Sequence, residues 1–278
     1  MSYKIILDSC GELPEQYKHD SRFESVPLSI QVGNEHIQDD ETFNQAEFLK
    51  KLSACPECPK SSCPSPERYC EAYKADVDNI FVVTLSGQLS GSYNSAVLAK
   101  NLYIEQYGHK NIHVVDSESA SGGETQIGLL AMELSEKGLP FEIICDKLDS
   151  YRDNMNTYFI LDNLETLRKN GRLTGVKALV ASTLNIKPVM GAEKGNIIQR
   201  SQTIGIKKGL KKLVELLIEE CVDSMKKRVI ITHVNAMERA ERVKEMLMEK
   251  AQFLEILIMD TRGISTMYAN DGGIIVTV

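Results

Sequence analysis

Four cysteines fall within one short stretch, Cys55-Pro-Glu-Cys58-Pro-Lys-Ser61-Ser62-Cys63-Pro-Ser-Pro-Glu-Arg-Tyr-Cys70. Thiols at this density suggest a metal knuckle, a disulfide knot, or a loop that binds through its other groups. Cys55 and Cys58 have the spacing of a zinc pair, and Cys63 and Cys70 would complete four ligands. The usual zinc arrangement, however, sets two close pairs roughly a dozen or more residues apart. Here the later gaps are four and six residues, and Pro56, Pro59, Pro64 and Pro66 stiffen the segment. A tetrahedron closed in so short and stiff a loop would be strained. The chain has seven cysteines, an odd number, which reads as free thiols of a reducing compartment. No metal site is expected.

The hydroxyls between the thiols offer different chemistry. In Ser61-Ser62-Cys63-Pro64-Ser65-Pro66, Ser65 suits a helix N-cap and Pro66 the first helical position. A helix start gathers free backbone amides and hydroxyls around an anion. A second loop, Leu85-Ser86-Gly-Gln-Leu-Ser90-Gly91-Ser92, follows an apolar run and precedes a helical pattern. It is neither a Walker loop nor a dinucleotide motif. Alone, each loop is an ordinary turn; together they suit a small carboxylate or phosphate. A nucleophilic serine has less support, because neither loop reads Gly-x-Ser-x-Gly. The five histidines, His19, His36, His109, His113 and His233, are scattered, and His113 and His233 sit in strand-like runs. These residues suit holding an anion better than transforming one. Basic residues gather at Arg168-Lys169-Asn170-Gly171-Arg172, Lys187, Arg200 and Lys207 to Lys212. Such runs form a solvated face, or steer an acidic or nucleotide-bearing partner.

The elements that must position these loops follow one recurring pattern. Lys4 to Asp8, Asn79 to Leu85 and Ile112 to Asp116 are short apolar runs ending in small polar residues. The spacing predicts helices over Tyr93 to Tyr103 and Thr125 to Lys137. Apolar runs alternating with helices mark a parallel sheet covered on both faces. Ligands then bind beyond the carboxyl ends of the strands, where Asp8-Ser9, Ser86 to Ser92 and Asp116 to Ser121 would converge. A polar stretch without clear period, Ser150 to Asn156, is the expected boundary between residues 1–153 and 154–278. Beyond it, Thr157 to Leu161 reads as a strand and Leu164 to Lys169 as a helix. Asn185 to Val189 and Asn196 to Arg200 read as strands paired around Glu193-Lys-Gly195. A helix over Ala236 to Lys250 and closing strands at Phe253 to Met259 and Gly273 to Val278 follow. Strands that arrive without crossover helices predict a mixed sheet. The fold class is therefore α/β in two domains, the first parallel and the second mixed.

The bulk properties narrow the function classes. At 278 residues the chain buries a large core without disulfide staples. It has 39 acidic against 32 basic residues, a net charge of −7, which argues against a general nucleic-acid binder. No apolar run reaches the length of a membrane span. The start, Met1 to Asp8, reads as a strand rather than a signal peptide, so a cytoplasmic location is expected.

These motifs, in this order, resemble those of the DegV family, the fatty-acid-binding proteins that serve bacterial fatty acid kinase (FakB type). Asp8-Ser9 with Leu13-Pro14 is similar to the family's opening, and Val26-Pro27-Leu28 to its next strand. Ser61-Ser62-Cys63-Pro64-Ser65 resembles Thr-Ser-Gln-Pro-Ser, and Leu89 to Ala96 resembles Leu-Ser-Gly-Thr-Tyr-x-Ser-Ala. Asp116-Ser117 with Ser121, Asn170-Gly171-Arg172 and Leu184-Asn185-Ile186-Lys187-Pro188 extend the match nearly end to end. The resemblance implies two α/β domains with an acyl chain buried between them, and no cofactor. It implies that Ser61 and Ser90, with Ser62, Gly91 and Ser92 adjacent, hold the carboxylate of a long-chain fatty acid. Cys63, Ser121 and Tyr268 would neighbour that head group. It also implies an ATP-dependent fatty acid kinase subunit as partner, docking near Arg172 and Arg200. Two departures stand out: Cys63 replaces glutamine, and Tyr268 stands where the family often has histidine. The rival reading is a phosphotransferase or hydrolase using the serine loops on a phosphorylated metabolite, through a polar pocket. A zinc-dependent interaction module would rest on the cysteines alone.

Overall fold

A computed structural model of the chain describes residues 1–173 and 185–278; Leu184 of the Leu-Asn-Ile-Lys-Pro motif lies outside the described residues. The first half runs β1 (Tyr3–Asp8), β2 (Phe23–Val26), β3 (Ser29–Val32), β4 (Glu35–Gln38), α1 (Gln45–Ala54), β5 (Lys60–Ser62) and α2 (Pro66–Tyr73). It continues with β6 (Asn79–Thr84), α3 (Ser92–Tyr107), β7 (Asn111–Asp116), α4 (Gly122–Glu136) and α5 (Phe141–Asp153). Strands β2, β1, β6 and β7 form a parallel sheet in that order. Every residue of β6 is buried, as expected of a central strand covered on both faces. Phe81 and Val83 pack with Ile5 and Leu7 on one face, and Ile80 and Val82 with Ile6 on the other. A second, antiparallel sheet of β4, β3 and β5 carries Ser61. The sequence reading did not anticipate this sheet, because its strands are short and half polar.

The second half runs β8 (Thr157–Ile160), α6 (Glu165–Lys169), β9 (Ile186–Glu193), β10 (Asn196–Ile204) and α7 (Ile206–Glu220). It closes with β11 (Arg228–His233), α8 (Met237–Lys250), β12 (Glu255–Asp260), α9 (Gly263–Ala269) and β13 (Ile274–Thr277). The six-stranded sheet β10-β9-β8-β13-β11-β12 is mixed: β11 and β12 pair parallel, and the other neighbours antiparallel. The expected hairpin forms with Glu193 opposite Asn196. Its turn residues Lys194 and Gly195 both have positive φ, 47° and 76°, the conformation that a two-residue hairpin turn requires.

At the expected boundary the stretch is less irregular than its composition suggested. Ser150 to Asp153 are the last turn of α5, whose Ile144 and Leu148 are buried and whose Arg152 pairs with Asp149. Asn156 then exchanges backbone hydrogen bonds with Val278 at 2.8 and 3.0 Å. Both halves share core. Ile230, Leu257 and Met259 pack with the α4 side of the parallel sheet, and Leu49 and Leu89 pack with Phe159 and Ile275. Helix α4 fits against β11 because Gly122 has no side chain; a Cβ there would lie 2.7 Å from Ile230.

Candidate functional site

Three loops meet at the carboxyl edge of the parallel sheet, and Asp8 at the end of β1 ties the first of them to the second. Its carboxylate accepts from the Leu85 backbone N–H at 2.8 Å and from Ser92 Oγ at 2.5 Å. The Ser86 N–H donates to the Ser119 carbonyl at 2.9 Å, and the Gly87 N–H to Asp116 Oδ1 at 3.0 Å. The serine-rich turn is thus held from below by strand-end carboxylates, and its outer residues face a cavity.

That cavity is lined from both the parallel-sheet half and the mixed-sheet half and opens to solvent at its mouth. Cys10, Leu28, Leu85, Leu89 and Ala120 come from the first, and Phe159, Leu161, Leu167, Ile197, Ile264 and Ile275 from the second. Ser61, Ser90, Arg172 and Tyr268 group at one end, and Glu118, Ser119, Thr157 and Ser265 also line the cavity. Ser61 Oγ and Tyr268 Oη lie 2.9 Å apart. Two hydroxyls so paired use one hydrogen between them and keep one to donate. Ser90 Oγ accepts from the Ser92 N–H at 3.2 Å, and among the described residues no acceptor takes its hydrogen. The Arg172 guanidinium sits 5.9 Å above the centre of the Tyr268 ring, a cation–π arrangement. Its Nε donates to the Leu89 carbonyl at 3.1 Å, and its terminal nitrogen to the Asn170 carbonyl. An open polar trough lined by Gly87, Gln88, Gly91, Asn94, Asn170 and Gly171 adjoins this mouth, sharing Leu89, Ser90 and Arg172 with it. The arrangement presents free hydroxyl donors and one guanidinium to an anion whose remainder is apolar.

Several expected residues stand elsewhere. Ser62 is exposed because β5 alternates, turning Ser61 inward and Ser62 to solvent. Ser92 is fully buried, its hydroxyl committed to Asp8 and to Tyr69 Oη at 2.7 Å. Ser121 is buried as well, between Glu12 Oε2 at 2.6 Å and Thr232 Oγ1 at 2.7 Å. Both serines therefore join elements instead of facing the cavity. Gly91 lines the trough and not the cavity; a Cβ there would lie 3.0 Å from Cys63 Sγ. Cys63 itself faces Ser95 Oγ at 3.9 Å. Ser65 caps α2 as expected, accepting from the Arg68 N–H. Arg200 is ion-paired with Glu220, which also accepts from Tyr158 Oη at 2.5 Å. It is therefore anchored in the wall of β10 and α7, whereas Arg172 stands at the mouth. All seven cysteines are free. Cys58 accepts from Asn170 Nδ2 at 3.4 Å, and Cys70 donates to the Ala99 carbonyl. Among the described residues no three His, Cys, Asp or Glu side chains are grouped to hold a metal ion. His113 and His233 lie in β7 and β11, and neither lines the cavity.

Sequence reasoning missed two buried acids behind the cavity wall, Glu12 and Glu124. Burial pushes the Glu12 carboxyl up to about 7, with Ser121 hydrogen bonding opposing the rise. Burial, and then the nearby Asp8 charge, push Glu124 far above the usual carboxylate range. Nothing local signals this. An acid in the first turn of a helix usually looks like an exposed dipole partner.

A family model described as "Uncharacterised protein, DegV family" matches residues 2–277. The chain belongs to the DegV family. A DegV domain-containing protein of Streptococcus gordonii is 35% identical, over 99% of this chain and 98% of its own length. Among solved structures, a DegV family protein from Ruminococcus gnavus, described with vaccenic acid, is 49% identical with a TM-score of 0.98, covering all of both chains. The Streptococcus pneumoniae fatty acid kinase (Fak) B3 protein, loaded with linoleic acid, is 33% identical with a TM-score of 0.90, covering 100% of this chain and 99% of that one. The α/β architecture, parallel then mixed, is that of these DegV structures. No helix among the described residues is long and apolar enough to cross a membrane.

Proposed function

We propose that this chain binds one long-chain fatty acid in the cavity lined by its two halves and presents the carboxylate at the mouth to a separate fatty acid kinase. The observation that carries this reading is a largely apolar cavity with Ser61, Ser90, Arg172 and Tyr268 grouped at its mouth. Burying methylenes yields about 0.8 kcal/mol each, so a chain of about fifteen contributes on the order of 12 kcal/mol. The head group then needs orientation more than affinity. Ser90 and the Ser61–Tyr268 pair supply hydrogens to carboxylate oxygens, and Arg172 supplies the charge. Tyr268, at the position where the resemblance to the family leads one to expect histidine, is held by Ser61 and covered by Arg172. Related structures loaded with linoleic and heptadecanoic acids support the ligand class.

The carboxylate end adjoins the open trough beside Gly87 to Gly91, which leaves room for a phosphate donor brought by the kinase. Arg172 at that rim stabilises charge on the head group and meets the partner. The chain acts as carrier and the kinase supplies ATP. A phosphotransferase or hydrolase would require a polar pocket, which this lining disfavours. Solvent extraction of the purified protein followed by mass spectrometry tests the first half; one acyl chain per protein is expected. Protein with no acyl species, and no uptake when one is supplied, refutes it. Acyl-phosphate formation with a DegV-dependent fatty acid kinase and ATP tests the second half.

A further inference from the structure

Behind the cavity wall three carboxyl groups lie together: Asp8, Glu12 and Glu124, which are 0%, 2% and 0% exposed. Their hydrogen-bond donors differ. Asp8 accepts three, from Leu85 N–H, Ser92 Oγ and Cys10 N–H. Glu12 accepts two, from Ser121 Oγ at 2.6 Å and the Arg262 backbone N–H at 3.2 Å. Glu124 has no partner within hydrogen-bond distance among the described residues, and both its oxygens are buried; Asp8 and the Cys10 thiol are its polar neighbours. Cys10 and Tyr69, the other titratable groups facing the cluster, are neutral, with burial pushing both well up. The Arg262 guanidinium turns away to the Asp39 carbonyl at 2.8 Å and lies 3.7 Å from the Asp39 carboxylate.

A buried carboxylate without donors keeps its proton, and one with three releases it. Glu124 is therefore the neutral member and Asp8 the charged one, leaving Glu12 as the group whose proton is in play. Glu12 also spans the seam between the halves. It follows β1, receives Ser121 from the start of α4, and receives Arg262 from the loop before α9. Beside it, Cys10 Sγ meets Ser265 Oγ at 3.6 Å, and both residues line the cavity.

We propose that this carboxyl cluster is a proton-operated seam, in which loss of the Glu12 proton to solvent loosens the contact between the post-β1 loop and α9 and opens the cavity wall to ligand exchange. A negative charge on Glu12 is buried away from water, and among the described residues no side-chain cation pairs with it, so its ionised form is disfavoured. The exchange half of this proposal rests on the fatty-acid reading; the seam itself does not.

The test compares the full-length wild type with Glu12→Gln from about pH 5.5 to about 8.5, the window in which the side chain would titrate. Thermal unfolding without added lipid is the first readout. The wild-type Tm falls relative to that of Glu12→Gln as pH rises. Stopped-flow transfer of oleate from the protein to excess albumin is the second. Release from the wild type is expected to be about tenfold faster at the upper than the lower end of that range, and less than about twofold faster from Glu12→Gln. The ligand's own carboxyl titrates in both proteins, so the difference belongs to Glu12. Equal pH slopes in the two proteins overturn the proposal. A wild-type Tm that falls relative to that of Glu12→Gln, with no oleate uptake by either protein, keeps the seam and refutes the fatty-acid reading. Should Glu12→Gln not fold, Glu12→Asp replaces it; a displaced Tm profile supports the seam and an unmoved one overturns it.

Discussion

Replacing Tyr268 by phenylalanine removes one oxygen and leaves the ring under Arg172, which isolates the phenol's part in holding a head group. The phenol is 2.9 Å from Ser61 Oγ, and the pair has one hydrogen left for a carboxylate. Phenylalanine leaves Ser61 to donate alone, with no phenol to fix its hydroxyl. A hydrogen bond to a charged group is worth about 1.5–3 kcal/mol. Because Ser61 keeps its own hydrogen, the expected loss lies at the low end, about 1.5 kcal/mol or roughly tenfold in Kd. Ser61→Ala should cost a similar amount, since it strips the phenol of its partner. The double variant should lose clearly less than the sum of the singles, because the two hydroxyls act as one donor. Kd for oleate is measured by displacement of a fluorescent fatty acid, on protein stripped of lipid. Losses below about twofold in both singles, or strict additivity in the double, refute the shared-donor arrangement.

Other substitutions separate site from scaffold. Ser92→Ala leaves the buried Asp8 carboxylate and Tyr69 Oη each short of a hydrogen-bond partner, so it should destabilise the chain by about 2 kcal/mol in urea unfolding. Ser62→Ala removes a solvent-facing hydroxyl and should leave both stability and oleate affinity within about 0.5 kcal/mol of wild type. Glu12 ionises near 4.5 when unfolded and near 7 when folded, so between those values the unfolded chain holds fewer protons. The Glu12 contribution to stability is therefore greatest below that window and falls as pH rises through it, by up to about 3 kcal/mol. Burial pushes the His113 and His233 imidazoles down, and they give the opposite slope below about 6.5. The check is therefore the difference in urea midpoint between wild type and Glu12→Gln, and a difference that does not fall as pH rises contradicts the sign.

The parts of the site legible in the sequence are those fixed by local geometry. Apolar runs ending in Asp8, Thr84 and Asp116 placed three polar loops at one sheet edge. A serine followed by proline marked the start of α2, and a Lys-Gly turn marked the β9–β10 hairpin. Whether a given serine faces a ligand is not local. Ser61 and Ser62 differ only in the face they take on β5, and that face is set by pairing with Ile30 of β3. Ser90 and Ser92 differ because Asp8, more than eighty positions earlier in the chain, takes the second hydroxyl and leaves the first. Ser121 is lost to Glu12 in the same way, and Arg200 to Glu220. A hydroxyl or guanidinium is available to a ligand only if no buried partner has already claimed it, and such partners come from distant segments. The thiols obey the same logic in reverse. Their spacing drew attention, yet the structure directs Cys58 toward Asn170, Cys63 toward Ser95 and Cys70 toward Ala99, and three different neighbours cannot make one metal site. Tyr268 shows what a single sequence can offer at best. Its position followed from motif order, whereas its value as a donor depends on Ser61, whose hydroxyl reaches it across more than two hundred residues.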